Sequence, residues 1–199
     1  MYTIYIDTHF VNLVIALFKN DELLEKKELE SNKHSENTVN LLKDLLYNNN
    51  ISVDDLKEII VINGPGSFTG VRIGVVIAKV IGFTKKVNIK TLSYLEAMSL
   101  NYECNVTLGI KDRNGVFVGE FDENHNLLKD YYYLNNKELE NINFNIILDD
   151  SVDLLKVYNY MKTKNTINPH LLKPLYIKRI EVEKWLEMLI FMIFQELMN

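Results

Sequence analysis

Cysteine is almost absent: Cys104 stands alone in 199 residues. A lone thiol excludes an internal disulfide and a four-thiolate metal site, and it fits a reducing cytoplasm. There is no basic excess either. Lys and Arg number 22 against 27 Asp and Glu, for a formal net charge of -5. A chain that grips nucleic acid unaided carries a basic surface, so contact with RNA is expected only within a larger assembly. The opening "MYTIYIDTHF" has neither the basic lead nor the apolar stretch of a secretory signal. The greasiest segment, "WLEMLIFMIFQELM", is about 14 residues long, short of the roughly 20 that span a bilayer. His9, His34, His125 and His170 form neither HxxxH nor HExxH, which leaves a zinc hydrolase without a ligand set. No Pro-rich or Gly/Ser-rich linker divides the chain. A hydrophobic share of 47% is enough for a real core and excludes disorder.

What is present reads as strands alternating with helices. "TIYID", "VNLVIALF" and "LLEKKELE" predict an N-terminal antiparallel meander. "HSENTVNLLKDLLYNN" places Val39, Leu42 and Leu46 on one face, with Leu41 and Leu45 beside them, and predicts an amphipathic helix ending in the Asn run. Ser52 and Asp55 of "SVDD" have capping-box spacing. "EIIVIN" is the short continuous apolar run of a strand buried on both faces. "TGVRIGVVIAKVIGF" is apolar nearly all round and predicts a buried helix. "NIKTL" predicts a strand and "SYLEAMSL" a short helix. The order then restarts. "NVTLGI", "GVFVGEF" and "LLKDYYYL" predict strands, "FNIILDD" a buried strand, and "SVDLLKVYNYMK" a helix. The doubled order implies two related halves meeting near Asn101 to Asn105.

Between the buried strand and the apolar helix lies "INGPGSFTGVRIG". It fails as a P-loop. Gly70 comes one place too late after Gly64, and Val71 stands where the phosphate-binding lysine is required. It fails as a dinucleotide fingerprint too, because Thr69 occupies the third glycine position. Pro65 removes one backbone N–H. Two readings stay open. Gly64, Gly66, Ser67, Thr69 and Gly70 offer N–H groups to an anion at a helix N-terminus, or they make a tight strand-to-helix turn.

The helix behind the turn repeats Gly70, Gly74, Ala78 and Gly82 every four residues. Glycine inside a helix costs about 1 kcal/mol relative to alanine. Repeated use of it implies close approach to another helix, either inside the fold or in a neighbouring subunit. Arg72 and Lys79, seven apart, give the helix one basic edge.

No active site assembles. Asp7 ends the first strand, where an acid can hold a metal or water if a glycine hairpin follows to wrap phosphate. Thr8, His9 and Phe10 follow instead. Asp7 therefore reads as structural. Ser67 lacks a GxSxG elbow, Cys104 has no supporting motif, and Asp149–Asp150 ends a strand or caps a helix.

"GPGSFTGVRIGVVIAK" resembles the signature of the TsaB (YeaZ) family of bacterial tRNA threonylcarbamoyladenosine synthesis. "IDT" at Ile6–Thr8, "HSEN" at His34–Asn37, "LSYLEAM" at Leu92–Met98 and "PLYIKRIEVEKW" at Pro174–Trp185 follow in the family's order. The resemblance covers most of residues 1–120 and then 174–185. It implies an α/β fold of the duplicated actin-like/Hsp70-like (ribonuclease H-like) kind, two subdomains each with a mixed β-sheet flanked by helices. Here they would be residues 1–102, carrying partner-binding helices, and 103–199, ending in an apolar helical extension.

The resemblance further implies a cytoplasmic, non-catalytic scaffold that binds and activates the catalytic subunit TsaD, which modifies adenosine 37 of tRNA. TsaE would join the pair, and tRNA would be reached only through the complex. The lone chain could homodimerise, and it would not touch a membrane. It would bind no cofactor tightly and no metal, with ATP or ADP entering only in the complex. The partner-binding residues would be His34, Leu42, Leu46, Arg72, Gly74, Ala78, Lys79 and Gly82. The second half is short for the family, and three further departures stand out. Lys111-Asp112-Arg113 replaces the family's Asp-Ala-Arg, His9 replaces a small residue, and the tail from Leu186 to Met198 has no family counterpart. The competing readings are a small ATP-dependent phosphotransferase of the same fold, separable by titrating the chain with Mg-ATP, and a peptidase, for which no nucleophile is visible.

Overall fold

The computed structural model describes residues 1–30, 34–148 and 151–178. The first three strands, β1 (Tyr2–Asp7), β2 (Asn12–Lys19) and β3 (Glu22–Glu30), form the antiparallel meander that the sequence predicts. Helix α1 (His34–Asn48) follows. A short 3₁₀ turn at Val53–Asp55 is closed by the Asp55 carboxylate, which accepts the Ser52 N–H at 2.7 Å. Strand β4 (Leu56–Ile62), helix α2 (Phe68–Lys85) and strand β5 (Asn88–Leu92) complete a five-stranded sheet of order β3-β2-β1-β4-β5. β1, β4 and β5 run parallel to one another. Helix α3 (Tyr94–Ser99), N-capped by Ser93, leads to the second sheet. That sheet has the order β8-β7-β6-β9. It comprises β6 (Val106–Asp112), β7 (Gly115–Phe121), β8 (Tyr132–Asn135) and β9 (Ile147–Leu148), with α4 (Asn136–Leu139) after β8. Helix α5 is Leu154–Lys162.

Strand alternation splits the first sheet into two apolar faces. Ile4, Ile6, Ile15, Ile59 and Val61 face α1 and α2, where Leu42, Leu45, Val71, Val75 and Ala78 cover them. Tyr5, Ala16, Phe18, Ile60 and Ile62 face α5, which contributes Val157, Tyr158 and Met161. The placement of α5 corrects the division at residues 102 and 103, because the helix packs on the first sheet. So does the chain after it. Ile167 bridges Ile89, and Leu175 donates its N–H to Asn63 O at 2.7 Å. The "LLKDYYYL" strand starts only at Tyr132, and "FNIILDD" yields a two-residue edge strand with both side chains 38% exposed rather than buried. Its apolar run covers an edge of the second sheet, where one side stays open.

Two inner contacts carry measurable consequences. Lys90 and Glu58, both almost fully buried, pair at 2.8 Å on adjacent strands. Lys90→Met strands the Glu58 charge and is expected to cost about 3–5 kcal/mol. Urea unfolding checks this, and the double variant Glu58→Gln/Lys90→Met should recover much of the loss. The Tyr131 hydroxyl, 2.7 Å from Ser93 Oγ, is pushed up to about 12, chiefly by burial. The folded chain then keeps a proton that the unfolded chain sheds near pH 10. Stability is therefore full below pH 10 and is lost as pH rises towards 12, by roughly 2–3 kcal/mol. Tyr131→Phe should flatten that part of the alkaline denaturation curve.

Candidate protein-docking site

The glycine turn is filled by the chain itself. Ser67 donates its N–H to His9 O at 2.7 Å, and its hydroxyl accepts the Gly70 N–H at 3.3 Å as the α2 N-cap. Gly64 adopts φ +122°, open to glycine at little cost. A side chain there would press on Leu175 O. At Gly66 and Gly70 a side chain would strike the carbonyls of His9 and Thr8. Gly66, Ser67 and Gly70 therefore dock α2 onto the β1–β2 hairpin, Gly64 lies against Leu175, and the Ser67 and Gly70 N–H groups are taken up within the fold. Thr69 faces elsewhere, into a groove described below.

The hairpin is equally committed. The buried Asp7 carboxylate accepts the His9 N–H at 3.1 Å, lies 2.6 Å from His9 Nδ1, and accepts the Tyr5 hydroxyl at 3.3 Å. Burial first, and then the Asp7 charge, push the Tyr5 hydroxyl well above the usual tyrosine range. The His9 ring stacks on Tyr94 at 3.9 Å. These groups line a cleft of about 570 Å³ between the hairpin and the Ile110–Lys111 end of β6. Asp7 is thus engaged by His9, and the glycine turn is packed against Thr8, His9 and Leu175.

The small-residue stripe lies against the sheet. Gly74 donates its N–H to Thr8 Oγ1 at 3.2 Å, Thr8 Oγ1 donates to Gly70 O at 2.7 Å, and Gly82 closes on the Ile89 side chain. Ala78 is fully buried in the same layer. Gly74, Ala78 and Gly82 thus admit close approach of a strand within the fold, and they are removed from the partner-binding set. Leu42 and Leu46 are removed too, being buried in the same core. Lys79 folds inward and donates to Leu172 O at 3.2 Å. Of His34 the backbone alone is described, at the start of α1.

The opposite side of α2 is open. A two-residue offset turns a helix by about 200°, so Phe68, Arg72, Val76 and Val80 lie across from the glycines. Phe68 is 42% exposed, Val76 and Val80 55%, and Phe83 53%. This overturns the prediction of an all-round buried helix. Val39 of α1, 41% exposed, borders the same surface. Between them runs a groove of about 400 Å³, lined by Val39, Phe68, Thr69, Arg72, Val76 and their neighbours. The Arg72 guanidinium lies 3.5 Å above the Phe68 ring, and its Nε donates to the Tyr176 hydroxyl at 2.6 Å. Of the expected partner-binding residues, Arg72 alone is seen on this face.

Asp112 lies on the far subdomain. Burial would raise its pKa, but hydrogen bonds from the Arg113 N–H, Tyr133 and Lys178 hold it below the usual carboxylate range. Asp112 thus anchors the chain that crosses the glycine turn, while the Arg113 side chain is exposed. Cys104 is exposed. Asp149–Asp150 and the tail from Leu186 to Met198 lie outside the described residues. Among the described residues no helix is long and apolar enough to cross a membrane.

These features define a class: two-sheet α/β chains whose hairpin and glycine turn are engaged with each other. Residues 25–110 match the family model of TsaD, tRNA N6-adenosine threonylcarbamoyltransferase. The tRNA threonylcarbamoyladenosine biosynthesis protein TsaB of Bacillus subtilis (strain 168) is 37% identical over 98 residues, 48% of this chain and 42% of that protein. The TsaB of Buchnera aphidicola is 29% identical over 129 residues, 62% of this chain and 61% of that protein. The chain spans about half the length of the curated relatives it matches. YeaZ from Pseudomonas aeruginosa has the same fold, with a TM-score of 0.73 and 17% identity over 88% of this chain and all of that one. The chain is thus similar in sequence to TsaB proteins of several bacteria and shares the fold of YeaZ.

Proposed function

We propose that this chain is a non-catalytic scaffold subunit in the formation of threonylcarbamoyladenosine on tRNA, and that it docks onto a TsaD-type catalytic subunit through the outer face of α2. The observation that carries this reading is the exposed apolar stripe Phe68, Val76, Val80 and Phe83, bordered by Val39. Contiguous apolar surface of this kind marks an interaction site. The TsaD model matches residues 25–110, a range that contains both α1 and α2. Two subunits built on one plan in this half can pair helix against equivalent helix about a local twofold axis.

On this reading residues 1–102 supply the docking helices. TsaE joins the pair, tRNA is met through the complex, and any ATP or ADP belongs to the complex rather than to this chain alone. A glycine turn packed against its own fold accords with a supporting role in the cytoplasm, where tRNA is modified. Self-association of the lone chain would use the same face. Size-exclusion chromatography with light scattering, on this chain mixed with the TsaD-type subunit of its organism, tests the proposal. A heterodimer is expected, and calorimetry of the lone chain with Mg-ATP should show no tight binding. No complex, or brisk ATP turnover by the isolated chain, would contradict it.

A further inference from the structure

Among the described residues Arg72 is the one charged residue lining the apolar groove of α2. Among the described residues no carboxylate pairs with it, and its only hydrogen bond runs from Nε to the Tyr176 hydroxyl at 2.6 Å. Its guanidinium is packed 3.5 Å above the Phe68 ring and 5.7 Å from the Tyr176 ring centroid. Tyr176 arrives from a distant segment, the chain that crosses the glycine turn and is tied to Asn63 through Leu175. Two rings and one hydrogen bond thus hold a long, otherwise rotatable side chain in one place.

A free surface arginine needs no such support. A preset one suits a docking contact, because little side-chain entropy remains to be lost on binding. When Val39, Phe68 and Val76 are covered, Arg72 is covered with them. A charge removed from water without a partner is strongly unfavourable. The terminal nitrogens must therefore meet an acceptor, and the planar fork is matched by a carboxylate.

We infer that Arg72, preset by Phe68 and Tyr176, is the polar anchor of the docking face and receives an Asp or Glu side chain set in an apolar ridge of the TsaD-type subunit. This rests on the docking function proposed above. Arg72 touches the partner, and Tyr176 is a positioning residue that acts through it.

The test measures the Kd of the full chain for the TsaD-type subunit of its organism. Truncating one member of a buried charge pair costs 2–5 kcal/mol, so Arg72→Gln should weaken binding on the order of thirtyfold or more, and Arg72→Glu further still. Arg72→Lys should recover only part of the loss, because an ammonium lacks the planar fork. Tyr176→Phe should weaken binding severalfold with no change in thermal midpoint. A partner variant with the facing acid changed to Arg should restore binding to Arg72→Glu. Val76→Asp separates the two readings. If it abolishes binding while Arg72→Glu leaves Kd unchanged, the face stands and the anchor is overturned. If neither variant changes Kd, both fail. If Arg72→Glu dissolves a lone-chain dimer but spares the heterodimer, the anchor serves a second copy and the inference is overturned.

Discussion

Val76→Asp is expected to remove the TsaD-type subunit from co-purification while the isolated chain stays folded. Val76 is 55% exposed and two residues from Gly74, so its side chain leaves α2 on the side away from the sheet. A carboxylate there meets water in the free chain and costs it almost nothing, as surface changes stay within about 0.5 kcal/mol. In the complex the same carboxylate would be sealed among Phe68, Ile73 and the partner's apolar surface. Burying it unpaired costs several kcal/mol, a loss of binding of at least about a hundredfold. Leu128→Asp is the matched control. Leu128 is 56% exposed, on the connection after β7, away from both helices. It should leave capture unchanged. Equal capture by Val76→Asp and the wild-type chain would remove α2 from the interface.

Gly74→Leu should have the opposite signature, an unfolded chain rather than a folded chain without a partner. A Cβ at position 74 would sit 2.6 Å from Thr8 Oγ1, the atom that also receives the Gly74 N–H. Behind it is the Ile6 side chain, within the sheet. A leucine must therefore push α2 off β1 and break the Thr8 bridge to Gly70 O at 2.7 Å. Overpacking alone costs about 1–3 kcal/mol, and the broken bridge adds to it. That is a large share of the roughly 5–15 kcal/mol that holds a domain together. Urea denaturation should show a markedly lower midpoint or no folded baseline. An unchanged midpoint with lost partner binding would return the glycine stripe to the interface.

The contrast between these two variants shows where the sequence was legible. Strands β1 to β5 and helices α1 and α2 follow from apolar periodicity, and the capping pair Ser52–Asp55 from its spacing. The failure of both phosphate motifs was legible too, because each needs a residue type at a fixed position. What misled was the direction of the small stripe. Gly70, Gly74, Ala78 and Gly82 announce a close approach, but not whether a strand or a foreign helix makes it. Phe68, Val76 and Val80, on the other side of the helix wheel, were a signal available in the sequence and hidden by reading the helix as apolar all round. Tyr176 gave no such signal. It meets Arg72 only because the chain returns from α5 across the glycine turn. The short exposed β9 shows the same limit, since an apolar run does not say whether its strand lies at the centre of a sheet or at its edge.

The most direct test replaces Val80 with a photoreactive benzoylphenylalanine and irradiates the chain with its TsaD-type subunit. A covalent heterodimer from position 80, and none from the same probe at position 128, is the predicted result. Crosslinking from position 128 with none from position 80 would contradict the assignment of the docking face to α2.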